Sequence, residues 1–412
     1  MGSKKYNYEM IIGNDIGNGC VKCAVKTNDG DVKRVDFQSV AALDRKPKKP
    51  AINNEEIKQS ISNIYNEMEI SISSPSLATY NDHYLIGEAA LSKGFIQEFD
   101  VYSKKSKAED ELSLILTLAT AAGRTLQTYY EENQSLPEEL LTVDAILAMA
   151  LPIEEYVKGF DDVYKNKLLN AEHIVTFHNF QLPVSVKILF SNVGVLAEGA
   201  AAQFAINKLT PEILKALIEQ AKNDGMNLEG IEPQHITGAE YIVGVDIGDG
   251  TTNFPVFTNG NFDKNFSDSI NTGHGKILSE AVEDLRNNFK LAGIDDRKGL
   301  STFLNNKPGE NTAPYKKKRY NSIADVVHNH EQQLANTITK KLNTLQERMP
   351  QQVDVVFVYG GGATPVKEYL YPQLMDIFAD IPVIYLDSTF SRFLNREGLY
   401  AVAEMVANTS KK

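Results

Sequence analysis

The sequence predicts an α/β protein built as two duplicated domains, and three observations carry that prediction. Laid over one another without a gap, residues 11–33 and 242–264 share Ile, Gly, Asp, Ile, Gly, Gly, Val, Thr, Asn and Lys, ten positions of twenty-three. Self-similarity of that kind is the signature of internal duplication. Around the two copies, short apolar strand candidates alternate with longer helical patterns, which argues for α/β layers on mixed sheets. At 412 residues the chain also exceeds what one core holds, because about 150 residues per domain gives two or three domains.

Taken in order, each copy reads as a β-hairpin. In IIGNDIGNGCVKCAV (11–25) and YIVGVDIGDGTTNFPVF (241–257) an apolar strand runs into Asp-Ile-Gly-X-Gly and a second strand leaves. A polar turn follows at Asn28-Asp29-Gly30 or Asn259-Gly260-Asn261. Further strands are expected at 143–152, 185–193, 353–362 and 381–387. Helices are expected at 109–131, 154–170, 197–207, 210–224, 274–291, 322–348 and 391–408. Residues 44–56 and 305–321 are polar, hold proline and lack periodicity, so they are expected as exposed loops. The KKKR run at 316–319 reads as a solvated stretch that could meet an acidic neighbour or an adaptor.

Charge and composition exclude several functions. With 54 acidic against 42 basic residues the net charge is -12, which makes a poor general binder of nucleic acid. No segment has the layout of a signal peptide, and no apolar run approaches the roughly 18 residues that span a bilayer, so a cytoplasmic protein is expected. In MGSKKY, Tyr6 stands where a myristoylation signal requires Ser or Thr, so no lipid anchor is expected. Cys20 and Cys23 form a CxxC, but on a strand an odd offset points them to opposite faces, against paired redox or metal chemistry. His328 and His330 are the one close histidine pair and have no thiol nearby, which argues against zinc.

The two glycine loops point to phosphate. A hairpin loop of Asp-X-Gly-X-Gly lets backbone N–H groups point inward without Cβ obstruction, making a concave anion site. Two such loops could hold a polyphosphate from both sides. Their aspartates would repel phosphate but suit the water ligands of a bridging Mg²⁺. Lys22, on the strand leaving the first loop, could return to the phosphates as a point charge. In the second copy that position is Asn253, and Thr251 and Thr252 offer hydroxyls instead. A third glycine cluster, YGGGATPVKEYL (359–370), ends an apolar strand and enters a helix with Pro365 in its first turn. That is where α/β proteins bind ligands, although the pattern is neither a Walker A loop nor GxGxxG.

These residues resemble the actin-like ATPase superfamily, which includes actin, Hsp70 and the sugar kinases. DIGNG is similar to its first phosphate motif, DIGDGTT to its second and VYGGGA to its adenosine motif, in that order over residues 11 to 363. Within the superfamily the chain most resembles ParM-type bacterial actins, through YLIGEAA (84–90), LAMALPIEEY (147–156), VLAEGAAA (195–202) and FLNREGLYAVAE (393–404).

The resemblance implies an actin-like fold of two duplicated α/β domains around an inter-domain nucleotide cleft. Domain I would span 1–192, with the C-terminal helix 391–412 packing back on it, and domain II 193–390. It implies ATP, with GTP left open, and Mg²⁺ as cofactors. Asp15 and Asp246 would hold the hydrated metal, and Asp246 would also serve catalysis. Glu198 would orient or activate the attacking water, with Asn192 as the second candidate. Nucleotide contacts would come from Gly17, Asn18, Gly19 and Lys22, then from Gly248, Asp249, Gly250, Thr251 and Thr252. SINTGHGKILSEAVEDL (269–285) resembles a glycine turn beside the phosphates, adding Gly273 and Gly275. The adenosine side would add Gly360, Gly361, Gly362 and Ala363.

The function implied is a filament that assembles head to tail with nucleotide, hydrolyses it, and segregates plasmid DNA through a DNA-binding adaptor protein, with no direct nucleic-acid or membrane contact. The alternative is a small-molecule kinase of the same superfamily, for which Asp144 and Asp161 are the candidate bases. A chaperone-like ATPase is disfavoured, since FLNREGLYAVAEMVANTSKK leaves no room for a peptide-binding domain.

Overall fold

The computed structural model describes residues 7–44, 49–78, 81–93, 95–99, 106–169, 171–289, 294–386 and 391–410. The MGSKKY segment and residues 45–48 of the expected 44–56 loop lie outside the described residues, as do 170, 290–291 and 387 of other expected elements. The chain forms two compact units, Met1–Lys208 with Phe393–Lys412, and Leu209–Arg392.

The first unit is organised by a nine-stranded mixed sheet. Its strands are β1 (Tyr8–Ile16), β2 (Cys20–Thr27), β3 (Lys33–Gln38), β4 (Ala41–Leu43), β5 (Glu69–Ser73), β6 (His83–Ile86), β7 (Leu141–Leu151), β8 (His173–Phe177) and β9 (Val184–Ala197). Their spatial order is β3-β2-β1-β7-β9-β8-β5-β6-β4. The three central strands β1, β7 and β9 run parallel, and β2 returns antiparallel beside β1. Parallel strands need both faces covered, and both are.

On one face Met10, Ile12, Ile16, Cys23 and Val25 share a core with Leu112, Ile115, Leu118 and Ala122 of the helix Glu111–Asn133. That helix starts on Asp110, whose side chain accepts from Leu112 N–H, and stops at Gln134 in the left-handed region. On the other face Ala148 and Ala150 meet Ala201, Leu399 and Ala403, small side chains that let the helix Leu394–Ser410 come close. Gly13 shows how close, because a Cβ there would overlap the backbone of Leu399 and Tyr400. Two ion pairs fasten the same helix. Arg34 donates to both Glu397 oxygens at 2.9 and 2.8 Å, and Arg396 reaches Asp36 at 3.2 Å.

The second unit holds a seven-stranded sheet. Its strands are β10 (Tyr241–Ile247), β11 (Thr252–Phe254), β12 (Val256–Thr258), β13 (Asn261–Phe262), β14 (Asp268–Ile270), β15 (Val355–Tyr359) and β16 (Val383–Tyr385). β10 pairs antiparallel with β11 and β12 on one side and parallel with β15 on the other. Pro255 separates β11 from β12, since a proline has no N–H to give the ladder. The helices Pro211–Asn223, Pro233–Thr237, His274–Phe289, Arg297–Asn305, Pro314–Arg348 and Ala363–Ile377 belong to the same unit.

Several expectations shift. The expected helix 154–170 is two, Ile153–Val157 and Phe160–Leu168, because Gly159 at φ 83° ends the first. The expected strand 185–193 runs on to Ala197, paired with β7 throughout, so residue 192 lies inside a strand and the first unit continues to Lys208. The expected loop 305–321 is helical from Pro314, where proline takes the first helical position. Its first two turns are largely exposed and so carry no apolar stripe to read.

Candidate functional site

In the first unit the candidate loop joins β1 to β2. Asp15 stands opposite Lys22 in the ladder, and the two form an ion pair at 3.5 Å. Gly17 N–H donates to Cys20 carbonyl at 3.1 Å and closes the turn. Among the described residues the N–H groups of Asn18 and Gly19 make no hydrogen bond, which leaves two donors on the loop.

At the same end of the sheet, one residue beyond β9, sits Glu198. Its N–H donates to Leu151 carbonyl at 2.7 Å, and its carboxylate accepts from Lys107 Nζ at 2.8 Å. Lys107 is buried, and its ammonium also lies 5.4 Å from the ring centroid of Phe99. Asn192 is exposed and pairs with Ile146, six residues back along β9 from Glu198. At about 3.3 Å per residue that is about 20 Å from the loop end of the sheet. The kinase candidates are also displaced. Asp144 sits near the opposite end of β7, opposite Glu9, and Asp161 is paired with Lys165 at 2.8 Å one turn along its helix.

In the second unit three sequence motifs converge. The loop 248–251 closes with Gly248 N–H donating to Thr251 carbonyl at 2.9 Å. Two helix-start amides then hold the loop from below, His274 N–H to Gly248 carbonyl at 2.9 Å and Lys276 N–H to Asp249 carbonyl at 3.0 Å. Gly273 and Gly275 are buried against that loop, where a Cβ at either would overlap Gly248 or Asp249. They serve close packing of the loop on the helix. From the other side Gly362 N–H donates to Ile247 carbonyl at 2.8 Å. Gly360, at φ 96°, lies against Ile247 and the Asp246 carboxylate, and a Cβ there would strike both. Gly361 is exposed, and a Cβ on it would meet nothing within 4 Å.

Asp246 is buried and stands opposite Asn253 in the ladder, a neutral side chain where the first copy has Lys22. It also pairs in register with Tyr359, whose hydroxyl burial and then the Asp246 charge hold far above the usual tyrosine range. Thr252 is fully buried and donates its hydroxyl to Thr272 carbonyl at 2.8 Å, so of the two threonines Thr251 is the one partly exposed on the loop. Asp249 is held by Arg297 at 2.9 and 3.0 Å. Ala363 is buried at the start of the helix Ala363–Ile377.

Residues 13–200 match the family model for the N-terminal domain of actin-like proteins, and residues 244–371 match that for the C-terminal part of MreB-like archaeal actin homologues. The chain is an actin-like protein. Its fold is similar to that of the actin-like protein Alp7A, with a TM-score of 0.63 at 16% identity over 98% of each chain. A non-polymerisable quadruple mutant of pCBH ParM is similar at 0.60 and 18% identity, over 97% of this chain and 99% of that one. ParM of Bacillus thuringiensis with ATP is similar at 0.56 and 17% identity, over 97% and 99%. No curated protein sequence matches. At these identities the likeness to the solved structures is one of fold.

Within each unit the actin-like protein brings its expected loop residues together, and two contributors, Lys107 and Arg297, had no sequence signal. Lys107 lies in a polar stretch with no periodicity, and Arg297 follows an unremarkable DD pair. His274 was inside a quoted motif, yet its bond to the buried Glu331 carboxylate at 3.1 Å depends on a helix 57 positions away. Cys20 and Cys23 are thiols not joined in a disulfide, and burial pushes Cys23 up to about 12. Among the described residues no group of three or more His, Cys, Asp or Glu could hold a metal, and no helix is long and apolar enough to cross a membrane.

Proposed function

We propose that this actin-like protein binds and hydrolyses ATP, polymerises head to tail in its ATP form, and serves to segregate plasmid DNA through a DNA-binding adaptor. The observation that carries the reading is the repeated loop. Each unit presents Asp-Ile-Gly-X-Gly at a strand end with its first glycine tied into the turn, and in the first unit the next two amides are undonated. Backbone donors on such a loop suit phosphate oxygens.

Asp15 and Asp246 are hard oxygen donors without a cluster of further acids around them, which fits an ion held mainly by water and phosphate, as Mg²⁺ prefers. When bound, Mg²⁺ would neutralise charge on the phosphates. The protein groups have separate tasks in this reading. Gly17, Asn18, Gly19, Gly248, Asp249, Gly250 and Thr251 grip the phosphates, while Gly361 leaves open space for the nucleoside. Lys22 keeps the Asp15 carboxylate in place, and Glu198, steadied by Lys107, orients the attacking water and takes its proton. Polymerisation would follow from two unlike surfaces meeting, which cannot close on itself and so extends.

Right-angle light scattering on micromolar protein after addition of ATP and Mg²⁺ tests this. A rise that decays as phosphate is released is the expected result. A flat trace accompanied by phosphorylation of a sugar panel would mean a kinase instead.

A further inference from the structure

The helix Pro314–Arg348 is the longest described in the second unit and carries opposite charge environments at its two ends. Its 35 residues span roughly 50 Å at 1.5 Å per residue. At the N-terminal end a depression of about 750 Å³ is lined by Lys317, Lys318, Asn321 and Ser322 and equally by Glu310 and Asp325, so the excess of positive charge at this end comes from Lys316 and Arg319 beside it. Lys316, Lys318 and Arg319 are exposed and make no side-chain hydrogen bond or ion pair among the described residues. Beside them Tyr315 is 71% exposed.

This placement does nothing for the helix itself. Helix N-termini carry partial positive charge and favour Asp or Glu, yet the first turn here holds no acidic residue and four cations follow in succession. An unpaired arginine near an exposed tyrosine is the kind of pair that interfaces enrich, and the lysines beside them add charge that can steer an acidic partner.

The chain that follows the other end of the helix lines a depression of about 840 Å³. Three carboxylates, Glu240, Asp354 and Asp380, border it, and no lysine or arginine does among the described residues. Asp354 is committed to structure, accepting from the N–H groups of Glu240 and Tyr241 at 2.9 and 2.8 Å. The Glu240 and Asp380 side chains are exposed and, like the cations, make no hydrogen bond or ion pair among the described residues.

We propose that the basic end of this helix in one molecule docks against the acidic depression at the other end in a second copy of the same chain, an inference that rests on the filament reading. The two patches differ and face opposite ends of one rigid element, so the contact is heterologous and propagates. Complementary charge also sets direction, because basic-to-basic and acidic-to-acidic encounters repel.

The test is a charge swap measured by sedimentation with ATP and Mg²⁺. In the parent, raising salt from about 0.05 to about 0.5 M should raise the critical concentration several-fold, since screening shortens the reach of exposed charges. The triple variant Lys316→Glu, Lys318→Glu, Arg319→Glu should raise it about tenfold or more, and so should the double variant Glu240→Lys, Asp380→Lys. An equimolar mixture of the two variants should assemble within a few-fold of the parent, because every junction then pairs unlike charges. So should the chain that carries both sets.

Variants that assemble at the parent concentration, or a mixture that stays dispersed while each variant still binds ATP, would overturn the surface and leave the filament reading intact. A parent that never assembles would overturn both. Should the triple variant assemble normally but lose retention on DNA, the basic end is a nucleic-acid site and the proposal is wrong.

Discussion

In the first hairpin Asn28 turns at φ 50° and donates its N–H to Glu9 carbonyl at 2.8 Å. In the second Asn259 turns at φ 50° and donates to Glu240 carbonyl at 2.7 Å. The two loops close alike through Gly17 and Gly248, yet the side chains around them have parted company. Asp15 faces Lys22, while Asp246 faces Asn253. Gly13 lies beneath a helix backbone, while Gly244 lies beneath the Tyr359 hydroxyl and the Pro255 ring. The first loop takes one outside amide, Ser39 N–H to Gly19 carbonyl at 3.3 Å, whereas the second rests on two, those of His274 and Lys276. Duplication has kept the backbone donors and released the side chains, as expected if the shared task is gripping phosphate and the unshared tasks are charge handling and support.

The largest way to break that division of labour is Glu198→Ala. If grip and cutting are separate, ATP should still bind and scattering should still rise, while phosphate release falls about 10²- to 10⁴-fold and the decay phase vanishes. Loss of nucleotide affinity would instead place Glu198 and its Lys107 partner among the structural ion pairs.

A smaller effect separates the hairpins themselves. Asp246→Ala should weaken Mg²⁺-dependent ATP binding by about 10- to 100-fold, the usual range for groups that act on a metal through its outer shell. Lys22→Ala should cost less, because it frees a carboxylate that is already partly exposed. Equal losses, measured by titration with a fluorescent ATP analogue with and without Mg²⁺, would mean the two copies are interchangeable after all.

The matched glycines give a contrast in stability. Gly13→Ala must push a methyl into the backbone of the helix Leu394–Ser410, and overpacking of that sort typically costs about 1–3 kcal/mol. Gly244→Ala meets only side-chain atoms of Tyr359 and Pro255, which yield more readily than a helix backbone, so a loss at the low end of the same range, about 1 kcal/mol, is expected. Urea denaturation of both variants ranks them, and a larger loss at Gly244 would reverse the assignment of rigid and yielding neighbours.

Much of this was legible in the chain because the chemistry was local. Asp-Ile-Gly-X-Gly, its strand flanks and the polar turn are contiguous, so spacing alone gave both hairpins. The five short strands β3, β4, β5, β6 and β8 escaped because three- to six-residue runs such as EISIS and HIVTF carry too few positions to show a period. The helix start at Pro314 escaped because exposed cations read as loop. At the site, Gly273 and Gly275 were visible as glycines, but whether they meet ligand or loop is a question of what lies above them. Lys107 and Arg297 are set by partners 91 and 48 residues away, and no window along the sequence contains both members.

The smallest expected effect contrasts the units through pH. His178, just beyond β8 in the first unit, is pushed down to about 4, by burial first and then by the neighbouring His83 ring. Its Nε2 also lies 2.9 Å from Ser71 Oγ. His173 on β8 is lowered too, by burial. A histidine lowered in the folded state binds its proton more readily once unfolded, so unfolding takes up protons as pH drops below the ordinary value near 6.5. The stability is therefore present in full above that value and is lost as pH falls toward 4. Because His178 is partly exposed, screening should hold its share below about 1 kcal/mol. His178→Gln keeps a polar partner for Ser71 without the titration, so its urea midpoint should match the parent near pH 4.5 or exceed it, and fall behind by pH 7.5. If the parent and variant curves run parallel across that range, the buried histidine is not what makes the first unit sensitive to acid, and His173 becomes the group to replace.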